Sequence, residues 1–383
     1  MQPELRSKLP HVGTTIFTEI SQLALDCQAI NLGQGFPDFD GPDLLRERLC
    51  HYVQQGFNQY APLAGIPKLR EQIASKVKRL YGYNACPDTE VTVVPGATEA
   101  IYCAITACVG SGDEVIVFDP AYDCYEPTVA LCGGKTIHIP LQPPKFGIDW
   151  QRVKDAVSPR TRMIILNSPH NPTGALLSAE DMQTLREVVK DTNILLLSDE
   201  VYEHLVYDGQ QHESLLRYPD LMQRAFVVSS FGKTYHVTGW KTGYCVAPSL
   251  LTTELRKVHQ YVTFVGITPI QWALADFMEA CPQHCDELPA FYQKKRDIFL
   301  DAMASSRFDM IPTPGTYFQL AEYSAISDKT DREMVQWLTR EQGVAAIPIS
   351  VFYQQAPDMR YVRFCFAKSE ATLVEAAKLL CQL

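Results

Sequence analysis

Between residues 91 and 247 the chain repeatedly alternates short apolar runs with longer amphipathic stretches. Segments 91–94, 114–118, 135–139, 162–166, 194–197, 225–228 and 244–247 read as strands. Helical patterns separate several of them: an apolar one ending near Val109, one around 150–157, and one opening at Ser178 with Asp181 three residues on, a helix-start signature. Continuously apolar strands separated by helices predict a mostly parallel sheet covered on both faces. Upstream, helices are expected over 14–25, 44–52 and 68–81; in the last, Leu69, Ile73, Val77 and Leu80 recur on one face. Beyond about residue 285 the texture changes to a long helix (288–303), a strand (316–321), a helix (332–341), strands at 344–349 and 361–367, and a final helix under Ser369. The expected organisation is α/β: a large domain over 41–284, and a smaller α+β domain built from 1–40 and 285–383.

Composition narrows the picture. With 383 residues the chain can bury a sizeable core in two domains. A net charge of −10 argues against sequence-independent nucleic-acid binding, which needs basic surface. The first residues are polar and interrupted by Pro3, and the apolar segment 100–109 is too short to span a bilayer. A cytoplasmic protein is expected, with no nucleic-acid or membrane partner. Of twelve cysteines, Cys103, Cys108, Cys245 and Cys365 fall in predicted helices or strands, where a thiol behaves as a small core hydrophobe. Only Cys281-Pro-Gln-His284-Cys285 has ligand-like spacing, and no second pair matches it. No metal is expected, and the thiols are expected to be reduced.

Polar residues cluster where strands end. The stretch Ser229-Ser230-Phe231-Gly232-Lys233-Thr234 follows the 225–228 strand, and Gly239-Trp240-Lys241 precedes the next. Open α/β sheets bind ligands at these carboxyl ends. A lysine among hydroxyls and glycines suits a carbonyl cofactor with an anionic tail, since lysine forms Schiff bases with pyridoxal phosphate; taken alone, Lys233 reads more readily as a solvated charge. Asp199 ends a buried strand, where a carboxylate needs a compensating cation such as a protonated pyridine, or is simply a helix cap. Gly96-Ala97-Thr98 opens a helix whose amides suit a phosphate, or is an ordinary turn. Gly33 and Gly35, close together before Pro37, suggest backbone held close to something, or a plain turn.

Jointly the pattern is more specific. Asn171-Pro-x-Gly, Asp199-x-x-Tyr202, Ser230-x-x-Lys233 and Gly239-Trp240-Lys241-x-Gly243 occur in that order. This resembles the class I pyridoxal phosphate-dependent aminotransferases of fold type I over essentially the whole chain. Leu32-Gly33-Gln34-Gly35-Phe36-Pro37 is similar to the kynurenine aminotransferase I (glutamine transaminase K) branch, and Val258-His259-Gln260-Tyr261 to its bacterial methionine aminotransferases.

The resemblance implies pyridoxal 5'-phosphate bound to Lys233 as a Schiff base, with Asp199 on the pyridine nitrogen and Asn171 and Tyr202 on the ring hydroxyl. Tyr122 would stack on the ring, while Ala97, Thr98, Ser230 and Lys241 hold the phosphate. Tyr60 would reach a neighbouring subunit's phosphate in a homodimer, and Gly35, Asn171 and Arg363 would receive the substrate carboxylate. The implied reaction moves the amino group of a neutral, hydrophobic or aromatic amino acid to a 2-oxo acid by ping-pong kinetics. A cysteine-conjugate β-lyase is the enzymatic alternative, and a non-catalytic cofactor-binding regulator the other. Lys241 departs from the arginine of many class I enzymes, and Ala97 and Glu99 from their usual Gly, Ser or Tyr. Phe17, Tyr60, Phe352 and Tyr353 are expected near the carboxylate site; for Phe17 and Phe352 core packing is the other reading.

Overall fold

The computed structural model describes residues 6–383. Its strands, in chain order, are β1 (Ile30–Asn31), β2 (Val91–Val94), β3 (Glu114–Asp119), β4 (Lys135–Pro140), β5 (Thr161–Asn167), β6 (Leu195–Asp199), β7 (Ala225–Ser230), β8 (Gly243–Val246), β9 (Phe318–Glu322), β10 (Val344–Ala345), β11 (Ile347–Pro348) and β12 (Tyr361–Cys365). Seven form one sheet in the order β2-β8-β7-β6-β5-β3-β4. All point the same way except β8, which is antiparallel to both neighbours. Residues 231–242 form only short helical turns, with no long helix to carry the chain back across the sheet for a parallel return.

Alternate side chains of these strands feed two different cores. Ile116, Ile164, Leu196 and Val227 pack on one side with Leu69, Ile73 and Val77 of helix Pro67–Tyr81. Val117, Ile165, Leu197 and Val228 pack on the other with Ile101 and Ile105 of helix Ala97–Cys108. Both faces being covered accounts for the unbroken apolar runs.

A third core joins β9, β12 and helices His284–Ala302, Asp331–Glu341 and Glu370–Leu380 to the N-terminal helix Ile16–Asp26. The single strand expected over 344–349 is in fact two. Val344 and Ala345 pair with β1, whereas Ile347 and Pro348 pair with β12, so the chain changes partners at Ala346. The strand expected from 316 starts at Phe318, because Thr316 has φ +63°. Helices Tyr125–Leu131, Ser249–Val262 and Thr268–Ala280 are additions to the expected set. No helix among the described residues is long and apolar enough to cross a membrane.

Candidate active site

The carboxyl ends of β5, β6 and β7 open into a cavity of ≈ 260 Å³. The β5–β6 register sets Asn167 beside Asp199. Asp199 is only 3% exposed. Tyr125 Oη donates to its Oδ2 at 2.6 Å and the Val201 amide to its Oδ1 at 3.3 Å. Burial nevertheless pushes the carboxyl up to about 6, against the pull of Tyr125. Opposite it, Lys233 Nζ donates to Tyr317 Oη at 2.9 Å and to the Gly35 carbonyl at 3.3 Å. Burial brings its pKa down to about 8, with Lys241 and Arg363 also opposing its charge. A buried acid and a buried amine thus face one cavity, each displaced toward neutrality.

One wall is built for an anion. Helix Ala97–Cys108 starts at Gly96, whose φ of +84° suits glycine, and no side chain caps its first amides. A Cβ on Gly96 would lie 3.4 Å from Lys241 Nζ, and one on Gly243 would lie 3.0 Å from the Ala97 amide and 2.6 Å from the Ser229 carbonyl. The two glycines therefore keep open a cradle lined by Ala97, Thr98, Ser230 and Lys241. Free amides, hydroxyls and one ammonium are the donor set a phosphate takes.

The far end carries Arg363, which is 1% exposed. It donates to Asn171 Oδ1 at 2.8 Å and to the Gly33 carbonyl at 2.9 Å, while its Nε has no partner. Its guanidinium lies 3.8 Å from the Phe318 ring centroid, with Phe17 and Phe352 on further sides. Burial lowers its pKa to about 10. Among the described residues no carboxylate pairs with it. A buried cation with three of its five N–H donors unspent calls for an anionic partner from outside.

Gly35, Ala97, Thr98, Tyr122, Asn171, Asp199, Tyr202, Ser230, Lys233, Lys241 and Arg363 all line this cavity. Tyr60 does not: it is 84% exposed and rests on Phe264. Of the aromatic residues expected at the carboxylate site, Phe17 lines the cavity and Phe352 packs on it at 5.8 Å. Tyr353 turns away to the Leu141 carbonyl and belongs to the core. Sequence reasoning missed Tyr125, Asn167, Tyr317 and Phe318. Tyr125 lies one helical turn beyond Tyr122 and Asn167 ends a strand, which were available signals; Tyr317 had none. Among the described residues the one group close enough to ligate a metal is Glu99, Cys103 and His259, not the 281–285 run, and His259 spends its ring nitrogens on Glu99 and the Leu63 carbonyl.

Comparison with known proteins fits this geometry. The model of the aminotransferase class I and II family matches residues 28–380. The chain belongs to that family. This aminotransferase is 55% identical to the methionine aminotransferase of Escherichia coli (strain K12), over 99% of this chain and 98% of the relative. It is 33% identical to kynurenine–oxoglutarate transaminase 1 of Mus musculus, over 95% and 94% of the two chains. A solved Escherichia coli structure described as having a methionine aminotransferase function superposes with a TM-score of 0.98 at 54% identity, each chain fully covered. The aminotransferase therefore has the fold-type I architecture and transaminase activity that its motifs led us to expect.

Proposed function

We propose that this aminotransferase uses pyridoxal 5'-phosphate to move the amino group of methionine, or of another neutral or aromatic amino acid, to a 2-oxo acid. The observation that carries this is the convergence of Lys233, Asp199, the Gly96–Thr98 cradle and Arg363 on one cavity. Each supplies what one part of the cofactor or substrate requires. When bound, the cofactor supplies an aldehyde for amine exchange and a protonated ring that accepts electrons from the substrate's α-carbon.

The protein's part follows from the atoms present. The cradle and Lys241 would hold the phosphate, Tyr122 would cover the ring, and Asn171 and Tyr202 would serve its hydroxyl. Asp199 faces the ring nitrogen; a cation there relieves the burial that raises this carboxyl. Arg363, through its unspent N–H donors, and the Gly35 segment would take the substrate carboxylate. Lys233 Nζ, already poised near 8, would be the group that accepts the α-proton as a neutral amine and gives it back. Because donor and acceptor use the same groups in turn, the kinetics are ping-pong.

Among the described residues the only cationic side chains lining the cavity are Lys233, Lys241 and Arg363. With those three engaged, none remains for a second carboxylate, and the aromatic residues around Arg363 favour a neutral side chain. Tyr60, Tyr261, Phe264 and Ile267 are exposed apolar residues, and we assign them to a homodimer interface that carries Tyr60 to the partner's phosphate site. We divide the chain into a cofactor-binding unit (41–284) and a smaller unit (1–40 with 285–383). The twelve free cysteines suit a reducing compartment such as the cytoplasm.

Borohydride reduction of the holoenzyme followed by peptide mass spectrometry tests the assignment. A pyridoxyl adduct on Lys233 is expected; an adduct on another lysine, or colourless protein after incubation with the aldehyde, overturns it. A panel of amino donors and 2-oxo acids, read in each half-reaction, is expected to rank methionine above aspartate.

A further inference from the structure

Tyr317 plays no part in the reading above, yet it touches the reacting lysine. It is wholly buried, and its ring is set edge-on to Tyr202 at 5.1 Å and to Phe318 at 4.9 Å. The residue before it, Thr316, adopts φ +63°, which a β-branched residue avoids unless its surroundings impose it. They do: its amide donates to the Leu205 carbonyl, its own carbonyl accepts from Tyr207 Oη, and its Oγ1 accepts from the Phe318 amide. The hydroxyl of Tyr317 is thereby aimed at one place. It donates to the Gly35 carbonyl at 2.7 Å and accepts from Lys233 Nζ at 2.9 Å. Gly35 permits the approach, since a Cβ there would lie 2.6 Å from Phe318 Cζ and 3.3 Å from Tyr317 Cε2.

We propose that Tyr317 is a positioning residue for transamination: with the Gly35 carbonyl it forms a berth that holds the Lys233 amine whenever it is not bonded to the cofactor's aldehyde. The valence of nitrogen makes the berth directional. A neutral primary amine has two N–H bonds and one lone pair. Tyr317 Oη and Gly35 O take both N–H bonds, so the lone pair has the one tetrahedral position left. As an ammonium, Lys233 keeps the same two acceptors and presents its third proton in that direction. The berth thus fixes where the amine picks up a proton and where it gives one back. The charges of Asp199, Lys241 and Arg363 act on the amine as well, the Cys365 thiol lies near it, and the rings of Tyr202 and Tyr317 both face it at 5.6 Å.

This inference rests on Lys233 being the reacting amine, and the test separates the two. The full-length apoprotein, freed of cofactor, is labelled with acetic anhydride across a pH series, and acetylation of Lys233 is followed by mass spectrometry. Two oxygens that accept from the amine favour its charged form, so removing one lowers its pKa. In Tyr317→Phe the labelling midpoint is expected to fall by about one pH unit, the scale of one hydrogen bond to a charged group. Gly35→Ala, which presses on the Phe318 ring and more lightly on that of Tyr317 without deleting a hydroxyl, is expected to shift it in the same direction. It carries the test if Tyr317→Phe loses its cooperative thermal transition. An unmoved or raised midpoint in the folded variants overturns the berth. Failure of borohydride to trap the cofactor on Lys233 in the wild-type holoenzyme instead overturns the assignment of Lys233, whatever the midpoints show.

Discussion

Tyr125 Oη donates to Asp199 Oδ2 at 2.6 Å, joining the helix after β3 to the end of β6 across a sequence separation of 74 residues. It is the main hydrogen bond acting against the burial that raises Asp199. In Tyr125→Phe the carboxyl should protonate more readily and hold a ring cation less well. A hydrogen bond to a charged group contributes roughly 1.5–3 kcal/mol. Cofactor binding should therefore weaken about tenfold or more, read by absorbance titration of the apoprotein.

Asp199 also leaves a signature in stability against pH. Its carboxyl is raised from 3.8 to about 6 in the fold, so between about pH 4 and 6 the folded apoprotein binds more protons than the unfolded chain. Its contribution is most favourable below the unfolded value and is lost as pH rises through the folded one, a change on the order of 3 kcal/mol. Relative to Asp199→Asn, wild-type apoprotein should lose stability over that window in urea titrations. Adding the cofactor should remove the difference.

Arg363→Lys should separate binding from chemistry. The lysine keeps a charge but loses the planar fork that reaches Asn171 and Gly33 and leaves Nε free. KM for the amino donor should rise by about a hundredfold, corresponding to about 3 kcal/mol of lost pairing. The resting cofactor spectrum should be unchanged. Equal losses for donors and for 2-oxo acids in single half-reactions would place the carboxylates of both on this arginine.

Subunit mixing tests the assignment of Tyr60. In the proposed homodimer, the Tyr60→Ala and Lys233→Ala variants should each be impaired. When the two are unfolded together and refolded, the hybrids hold one site with both Lys233 and Tyr60. Activity above the sum of the parents is the expected result, and an additive mixture would remove Tyr60 from a neighbour's site.

Much of the fold was legible because burial on both faces makes strands read as plain apolar runs. Val91–Val94 matches residue for residue, and the Ser178–Asp181 start is a full capping box. Helix Thr268–Ala280 escaped because it is apolar nearly all round, with Ala273, Leu274 and Ala275 consecutively buried, so it lacks the two-sided pattern periodicity detects. In helix Ser249–Val262 the buried stripe Leu251, Leu255, His259 ends in a histidine that reads as polar until Glu99 is seen against it. The site divides similarly. Lys233 and Asp199 stand in recognisable motifs and Arg363 came only with the family resemblance, whereas Tyr125 and Tyr317 gain their roles through contacts between distant segments.

Gly33 and Gly35 accept from Arg363 and Lys233 respectively, and both follow directly from the β1 pairing with β10. The proposed clamp on the substrate's acid group and the proposed resting place of the proton carrier are thus mounted on one tripeptide, Gly33-Gln34-Gly35. Whatever shifts that ribbon, whether a bulkier donor or the withdrawal of the 344–345 strand, must retune grip and proton delivery together rather than one at a time.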